Sequence, residues 1–347
     1  MADADPKPSF LDLNLEECKA RFVQLGGKPF HAKIARERIF TAGELDFKSM
    51  TALPAGLRSR LSEQLPILTG TELSRSRAPD QTTKLLIAFR GGDAVETVHI
   101  PSTRTGRGAT LCVSSQAGCA VGCPFCASGK LGLSRNLTRG EIIEQYLRGR
   151  ELGELSRSVV MGVGEPLLNI NNLTSALETV RTEMKLGARR TTVSTVGFPD
   201  RLRRLAASKP HFQLAISLHT PDDEQRDVLV PAMAGTPIED VLAAGDDWFE
   251  QTGREITYEY VLLAGENDSP GHAERLASRL RGRRASVNLI PYNPIDEETG
   301  DRPRADRVED FKLALIDGGI VATVRWSRGM QSDAACGQLR LHTPSST

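Results

Sequence analysis

The 347 residues suffice for one large domain with an accessory module, or for two domains, and their composition is that of an ordinary globular chain. Basic and acidic side chains balance at 44 each, which excludes a globally basic nucleic-acid binder and leaves any RNA contact to local patches. No run of eighteen apolar residues marks a membrane span, and the polar start MADADPKPSF is unlike a signal or transit peptide, so a cytoplasmic protein is expected.

Residues 1–80 carry helical apolar spacing, at Leu11, Leu13 and Leu15 and again at Ile34, Ile39 and Phe40, with punctuation at Pro54 and Gly56. They read as a small helical module. Lys33, Arg36 and Arg38 fall on one short helix, and Arg58, Arg60, Arg75 and Arg77 follow; a solvated face and an RNA-binding face fit that pattern equally well. Residues 84–90 and 94–100 read as two strands about the tight Gly91, Gly92, Asp93 turn, a hairpin within a linker spanning 81–108.

From 109 to 340, short apolar runs at 109–115, 158–162, 191–196, 213–218, 256–263, 286–291 and 321–326 alternate with amphipathic stretches such as 138–150, 172–184, 273–280 and 308–316. Repeated strand then helix implies an α/β domain of parallel strands covered by helices. Without a G-x-G-x-x-G after the first strand, a partial, TIM-like β/α barrel is favoured over a Rossmann sheet. Residues 341–347 are a tail. In such a barrel, polar residues just beyond the strands face the active site.

The first strand runs into Cys119, Cys123 and Cys126, in a chain with six cysteines. This C-x3-C-x2-C spacing is one ligand short of a closed tetrahedral zinc site, and thiolates suit iron-sulfur clusters. The spacing favours a cluster with one iron open to a small molecule over zinc with a remote fourth ligand or over redox thiols. Clustered cysteines without an export signal favour metal or catalysis over disulfides. Later strand ends place Gly162, Gly164, Glu165 and Pro166, then Ser194 and Thr195, then Ser217, Leu218 and His219, then Tyr292 and Asn293, where a ligand would lie. The Glu165 carboxylate could hold an ammonium. Singly these signals are weak, since a Gly-Glu-Pro is more often a turn and a lone histidine more often packed. Cys336, among small residues in a glycine-bearing loop, suits a nucleophile, whereas Cys18 reads as a small hydrophobe.

In this order the motifs resemble the RlmN-type radical S-adenosylmethionine (SAM) RNA methyltransferases, relatives of the Cfr resistance methyltransferases, over nearly the whole chain. The matching stretches are 110–119 through 135–137, 162–166, 194–197, 216–219, 288–293 and 334–339. The resemblance implies a radical SAM barrel in which Cys119, Cys123 and Cys126 hold a [4Fe-4S] cluster, and Gly164, Glu165, Ser194, Ser217, Leu218, His219 and Asn293 contact SAM. It implies two SAM molecules per turnover. Cys336 takes a methyl group from the first; the second yields a 5′-deoxyadenosyl radical that removes a hydrogen from that methyl. The resulting methylene radical adds to carbon 2 of an adenine, Glu96 acts as base, and Cys112 helps release the product, with a disulfide bond as part of the chemistry. On residues alone Glu96 would be an exposed strand glutamate.

The resemblance further implies 23S rRNA as substrate, tRNA as an open second one, an electron donor such as flavodoxin, no membrane and a monomer. A structured adenine must be splayed out to reach a barrel interior, which asks for a basic surface at the mouth; the amino-terminal module, Arg104, Arg107, Lys130 and Arg135 are candidates. The chain departs from the family pattern where Met330, Gln331 and Ser332 precede Asp333, and in a short tail that is not strongly basic. Two alternatives stand beside this expectation: Cfr-like methylation at carbon 8, and a non-catalytic, zinc-stabilised RNA-binding protein.

Overall fold

A computed structural model describes residues 8–295, 300–329 and 334–339. The first elements are helices α1 (Leu15–Gln24), α2 (Pro29–Glu37) and α3 (Ala55–Gln64). Asn14 caps α1 while Glu17 reaches back to the cap, and Pro29 opens α2 where no amide donor is needed. Phe10, Phe22 and Phe47 meet edge to face at the module's centre.

Arg36 is buried rather than displayed. Its guanidinium donates to the Glu183 carboxylate and, at 3.0 Å, to the Leu13 carbonyl. It therefore belongs neither to a solvated face nor to an RNA-binding one: it pins the module to the main domain, as does the buried Arg139, which donates to Leu13 and Thr179.

Strands β1 (Thr71–Arg77), β2 (Thr83–Ala88) and β3 (Ala94–Ile100) form an antiparallel meander, and β3 joins β4 (Ala109–Cys112) antiparallel. Residues 71–77, assigned by sequence to the helical stretch, are an edge strand. Their composition is polar and largely exposed, so no apolar alternation announces them, and pairing with β2 makes the strand.

Next come the short hairpin strands β5 (Gln116–Gly118) and β6 (Leu133–Asn136), with α4 (Ala127–Lys130) between them. Then α5 (Arg139–Glu151), β7 (Leu155–Val160), α6 (Ile170–Thr182), β8 (Thr191–Thr195), α7 (Pro199–Ala207), β9 (Gln213–Ser217), α8 (Asp223–Leu229), α9 (Ile238–Thr252), β10 (Ile256–Leu262), α10 (Pro270–Leu280), β11 (Ala285–Pro291), α11 (Ala305–Asp317) and β12 (Val321–Val324) complete the chain. β4 and β7 to β12 pair successively in parallel within a ten-stranded sheet whose edges are β1 and β12. This is the expected partial β/α barrel, open on one side. Across the opening, Arg328 donates to the Asp80 carbonyl at 2.8 Å and to Pro101, and the Gly329 amide donates to the Asp80 carboxylate.

The predicted strands overrun the observed ones at several carboxyl ends, because apolar side chains continue into the loops that wall the interior. Among the described residues no helix is long and apolar enough to cross a membrane.

Candidate active site

A cavity opens at the carboxyl ends of the parallel strands. It brings together Cys119, Cys123, Cys126, Gly164, Glu165, Ser194, Ser217, His219, Asn293 and Cys336. Leu218 is the exception. Its side chain is fully buried away from this wall, and only its backbone takes part, donating to the Glu259 carbonyl at 3.0 Å.

The cysteine loop is wound by close backbone approaches. Gly118 adopts a positive φ of 76°, and a Cβ there would lie 1.9 Å from the Gly132 oxygen. The Cys119 amide donates to Gly132, and the Cys126 amide donates to Cys123. Burial pushes the Cys119 thiol up to about 12 and the Cys123 thiol well above its usual range, with the neighbouring thiols adding to both. Among the described residues no three His, Cys, Asp or Glu side chains converge on a single metal ion. The three thiols instead share one cavity wall. Three thiols grouped on one wall suit the sulfur ligation of an iron-sulfur cluster.

Glu165 lies in the cavity wall, yet its carboxylate braces the protein. It accepts from the Thr195 hydroxyl, the Val196 amide and the Leu167 amide, while burial raises its affinity for a proton. The ammonium role read from sequence therefore meets a carboxylate already engaged. Gly164 is needed because a Cβ would press within 2.6 Å of Gln116 at a φ of 109°.

His219 has a left-handed backbone, with φ at 67°. Its Nδ1 accepts the Val261 amide at 3.1 Å, which assigns the ring proton to Nε2. Burial, helped by Arg226, depresses its pKa to about 3, so the ring stays neutral, packed edge to face on Phe125 at 4.9 Å. The Ser194 and Ser217 hydroxyls meet at 3.3 Å.

Asn293 donates to the Cys336 carbonyl at 3.0 Å, and the Gly337 carbonyl accepts the Ala127 amide at 2.8 Å. The C-terminal loop is thereby fastened both to the strand-end wall and to the cysteine loop. Cys336 also lines a second cavity, shared with Cys112, Met161 and Arg325. Burial pushes the Cys112 thiol to about 12, and the Cys336 thiol is raised in the same way. The disulfide expected from the resemblance is not present: all six cysteines are free, and burial keeps this pair in the protonated thiol form.

With this geometry in view, residues 9–67 match the ribosomal RNA large subunit methyltransferase N-terminal domain, and residues 113–277 match the Radical SAM superfamily. A probable dual-specificity RNA methyltransferase RlmN from Rhodopirellula baltica is 43% identical over 340 residues, covering 96% of this chain and 91% of its own. Its counterpart from Nostoc punctiforme is 42% identical, covering 96% and 93%. The chain belongs to the RlmN family. A crystal structure of a radical SAM methyltransferase from Sphaerobacter thermophilus, 41% identical, superposes with a TM-score of 0.91 over 96% of this chain and 99% of that one. Membership brings SAM and a [4Fe-4S] cluster as the family's cofactors, and the three-thiol wall fits the latter.

Within this RlmN-family frame Glu96 is buried, not exposed, and pairs with Lys84 at 2.8 Å. It does not line the main cavity. It lies two residues along β3 from Val98, which is register partner of Cys112 and packs with Ala334 and Leu339, so strand alternation puts Glu96 on that same face.

Of the basic residues, Arg135 is engaged by Asp93 and Glu141. Arg104 and Arg107 are exposed but precede β4, at the opposite end of that strand from the cysteine loop, so they do not ring the mouth. Lys33 and Lys130 are exposed. The departures at 330–333 and in the tail lie outside the described residues.

Sequence reasoning overlooked Glu259, which lines the main cavity, and Arg325, just beyond β12. Glu259 sits mid-strand in an apolar run, so a search of strand ends passes over it; the alternation of Thr257, Glu259 and Val261 on one face was the available signal.

Proposed function

We propose that this protein methylates carbon 2 of an adenine in 23S rRNA and in tRNA; two RNA substrates accord with relatives named dual-specificity RNA methyltransferases. One observation carries the reading. Cys336 lines both the cavity walled by Cys119, Cys123 and Cys126 and the second cavity that reaches Cys112. A residue so placed can take a methyl group from a molecule bound on the cluster side and present it toward Cys112.

Carbon 2 of adenine is electron-poor and carries no nucleophilic lone pair, so polar displacement fails and a radical route is required. When bound, the cluster would supply the one-electron reduction of SAM that a radical route needs. The chain supplies position. Cys119, Cys123 and Cys126 would hold the cluster, and Gly164, Ser194, Ser217, His219 and Asn293 would form the SAM wall, with Glu165 bracing it and the Leu218 backbone behind it. Asn293 fixes the Cys336 loop, so that Cys336 accepts a methyl from one SAM and gives up a hydrogen from it after a second is cleaved. Glu96 removes the proton from carbon 2. The Cys112 thiolate then attacks the Cys336 sulfur, and the bond from that sulfur to the product carbon breaks as a Cys112–Cys336 disulfide forms. The released carbon takes up a proton, and a cellular reductant returns the pair to the free thiols of the resting protein. RNA reaches the site over exposed basic residues such as Lys33 and Lys130, the electron donor is of flavodoxin type, and the enzyme works as a cytoplasmic monomer.

Reconstituted protein incubated with rRNA or tRNA, labelled SAM and a reductant tests this reading, with the methyladenosine isomer identified by mass spectrometry. The expected product is 2-methyladenosine; finding only the 8-methyl isomer would move the protein to the Cfr-like reaction.

A further inference from the structure

The cavity contains one buried acid to which the chemistry above gives no part. Glu259 lies on β10, between Ser217 of β9 and Asn288 of β11 in the parallel register. It is 4% exposed and lines the same cavity as Cys336. The Asn288 amide donates to its Oε2 at 2.7 Å, and the Thr323 hydroxyl in turn donates to Asn288 at 3.2 Å, which sets the plane of the carboxylate.

The charged and titratable groups facing Glu259 are Arg325, from beyond β12, and Cys336, from the C-terminal loop. Arg325 shares the second cavity with Cys336 and Cys112, and its Nη1 contacts the Met161 sulfur at 3.1 Å.

Cys336 faces a chemical difficulty that this arrangement resolves. A thiolate, not a thiol, attacks a methyl sulfonium, and burial makes the Cys336 thiol hold its proton. Each unit of upward shift costs roughly tenfold in thiolate at fixed pH. A base in the same cavity removes that penalty.

We propose that Glu259 accepts the Cys336 proton when Cys336 takes its methyl group, with Arg325 positioned to steady the sulfur anion before attack. The inference rests on the reading of Cys336 as methyl acceptor. The thiol proton passes to a Glu259 oxygen, directly or through one cavity water. The sulfur lone pair forms the new bond to the methyl carbon, and the methyl–sulfonium bond of SAM breaks with its electron pair kept by the departing sulfur. Neutral S-adenosylhomocysteine leaves, and Glu259 returns the proton to solvent. Burial lifts the Glu259 pKa to about 7, against the attraction of Arg325 and the Asn288 hydrogen bond, which poises it near working pH. Because only the carboxylate accepts a proton, the step slows as pH falls through that value.

The test uses full-length, cluster-loaded protein with SAM and no reductant, following the methyl gained by the Cys336 peptide by mass spectrometry across about pH 6 to 8. The expected unsubstituted profile bends near pH 7, whereas Glu259→Gln methylates Cys336 at least about 100-fold more slowly, keeps its SAM affinity and iron content, and loses the bend. Glu259→Asp restores part of the rate. A flat unsubstituted profile overturns the proposal whatever the variant does, as does equal methylation by Glu259→Gln, or weakened SAM binding with an unchanged profile. Absence of any methyl on Cys336 in the unsubstituted protein would instead overturn the methyl-acceptor reading beneath it.

Discussion

Asn293 donates its side-chain amide to the Cys336 carbonyl at 3.0 Å while its own oxygen accepts from Arg302 at 2.9 Å. The residue that closes the strand-end wall thus also sets the position of the proposed nucleophile. Asn293→Ala should leave iron content unchanged but slow methyl transfer to Cys336 by about 100-fold, since a misplacement of about 1 Å costs that much. Rapid-quench measurement of methylated Cys336 against SAM concentration checks it.

The two outlying cysteines should fail differently. Cys336→Ala is expected to abolish RNA methylation with cluster assembly intact, because the methyl acceptor is gone and the cluster ligands are not. Cys112→Ala is expected to leave RNA covalently attached to protein, visible as a retarded band on denaturing gels. Only free RNA in that lane would remove Cys112 from product release.

His219 makes acid destabilising. Its folded pKa, about 3, lies below the ordinary value of 6.5, so the unfolded chain binds the extra proton between those limits. Stability is therefore fully present above about pH 6.5 and declines below it, by up to about 1.4 kcal/mol per pH unit. Glu259, lifted to about 7, adds a slope of opposite sign. The His219 contribution is therefore read as the difference in chemical denaturation between the unsubstituted protein and His219→Gln from about pH 7.5 to 5.5, and that difference should carry this slope.

Much of this was legible in sequence, for reasons that differ by residue. Cys119, Cys123 and Cys126 are close in the chain, so spacing alone exposed their chemistry. The parallel strands were legible because both of their faces are covered, which writes them as apolar runs. β1 was not, because an exposed edge strand needs no apolar side chains. Arg36 looked like surface charge because its partner Glu183 lies far along the chain, and Glu96 looked exposed because nothing local records the layer over β3. Glu259 was hidden by its own strand, whose apolar neighbours face the helices while it faces the cavity.

Arg36 also yields a stability prediction. Its buried guanidinium pairs with the partly exposed Glu183 and lies over the Phe10 and Phe40 rings. Glu183→Ala should cost about 2–4 kcal/mol by stranding that charge, and Arg36→Met combined with it should recover part of the loss. Urea unfolding of the single and double variants measures the difference.

The central claim, that the transferred carbon passes through Cys336 as a radical, is tested most directly with SAM carrying a fully deuterated methyl group. The product adenosine is predicted to bear its methyl on carbon 2 with one deuterium replaced by hydrogen, the missing deuterium appearing in 5′-deoxyadenosine. A product that keeps all of its methyl deuterium would mean direct transfer, and would contradict the account.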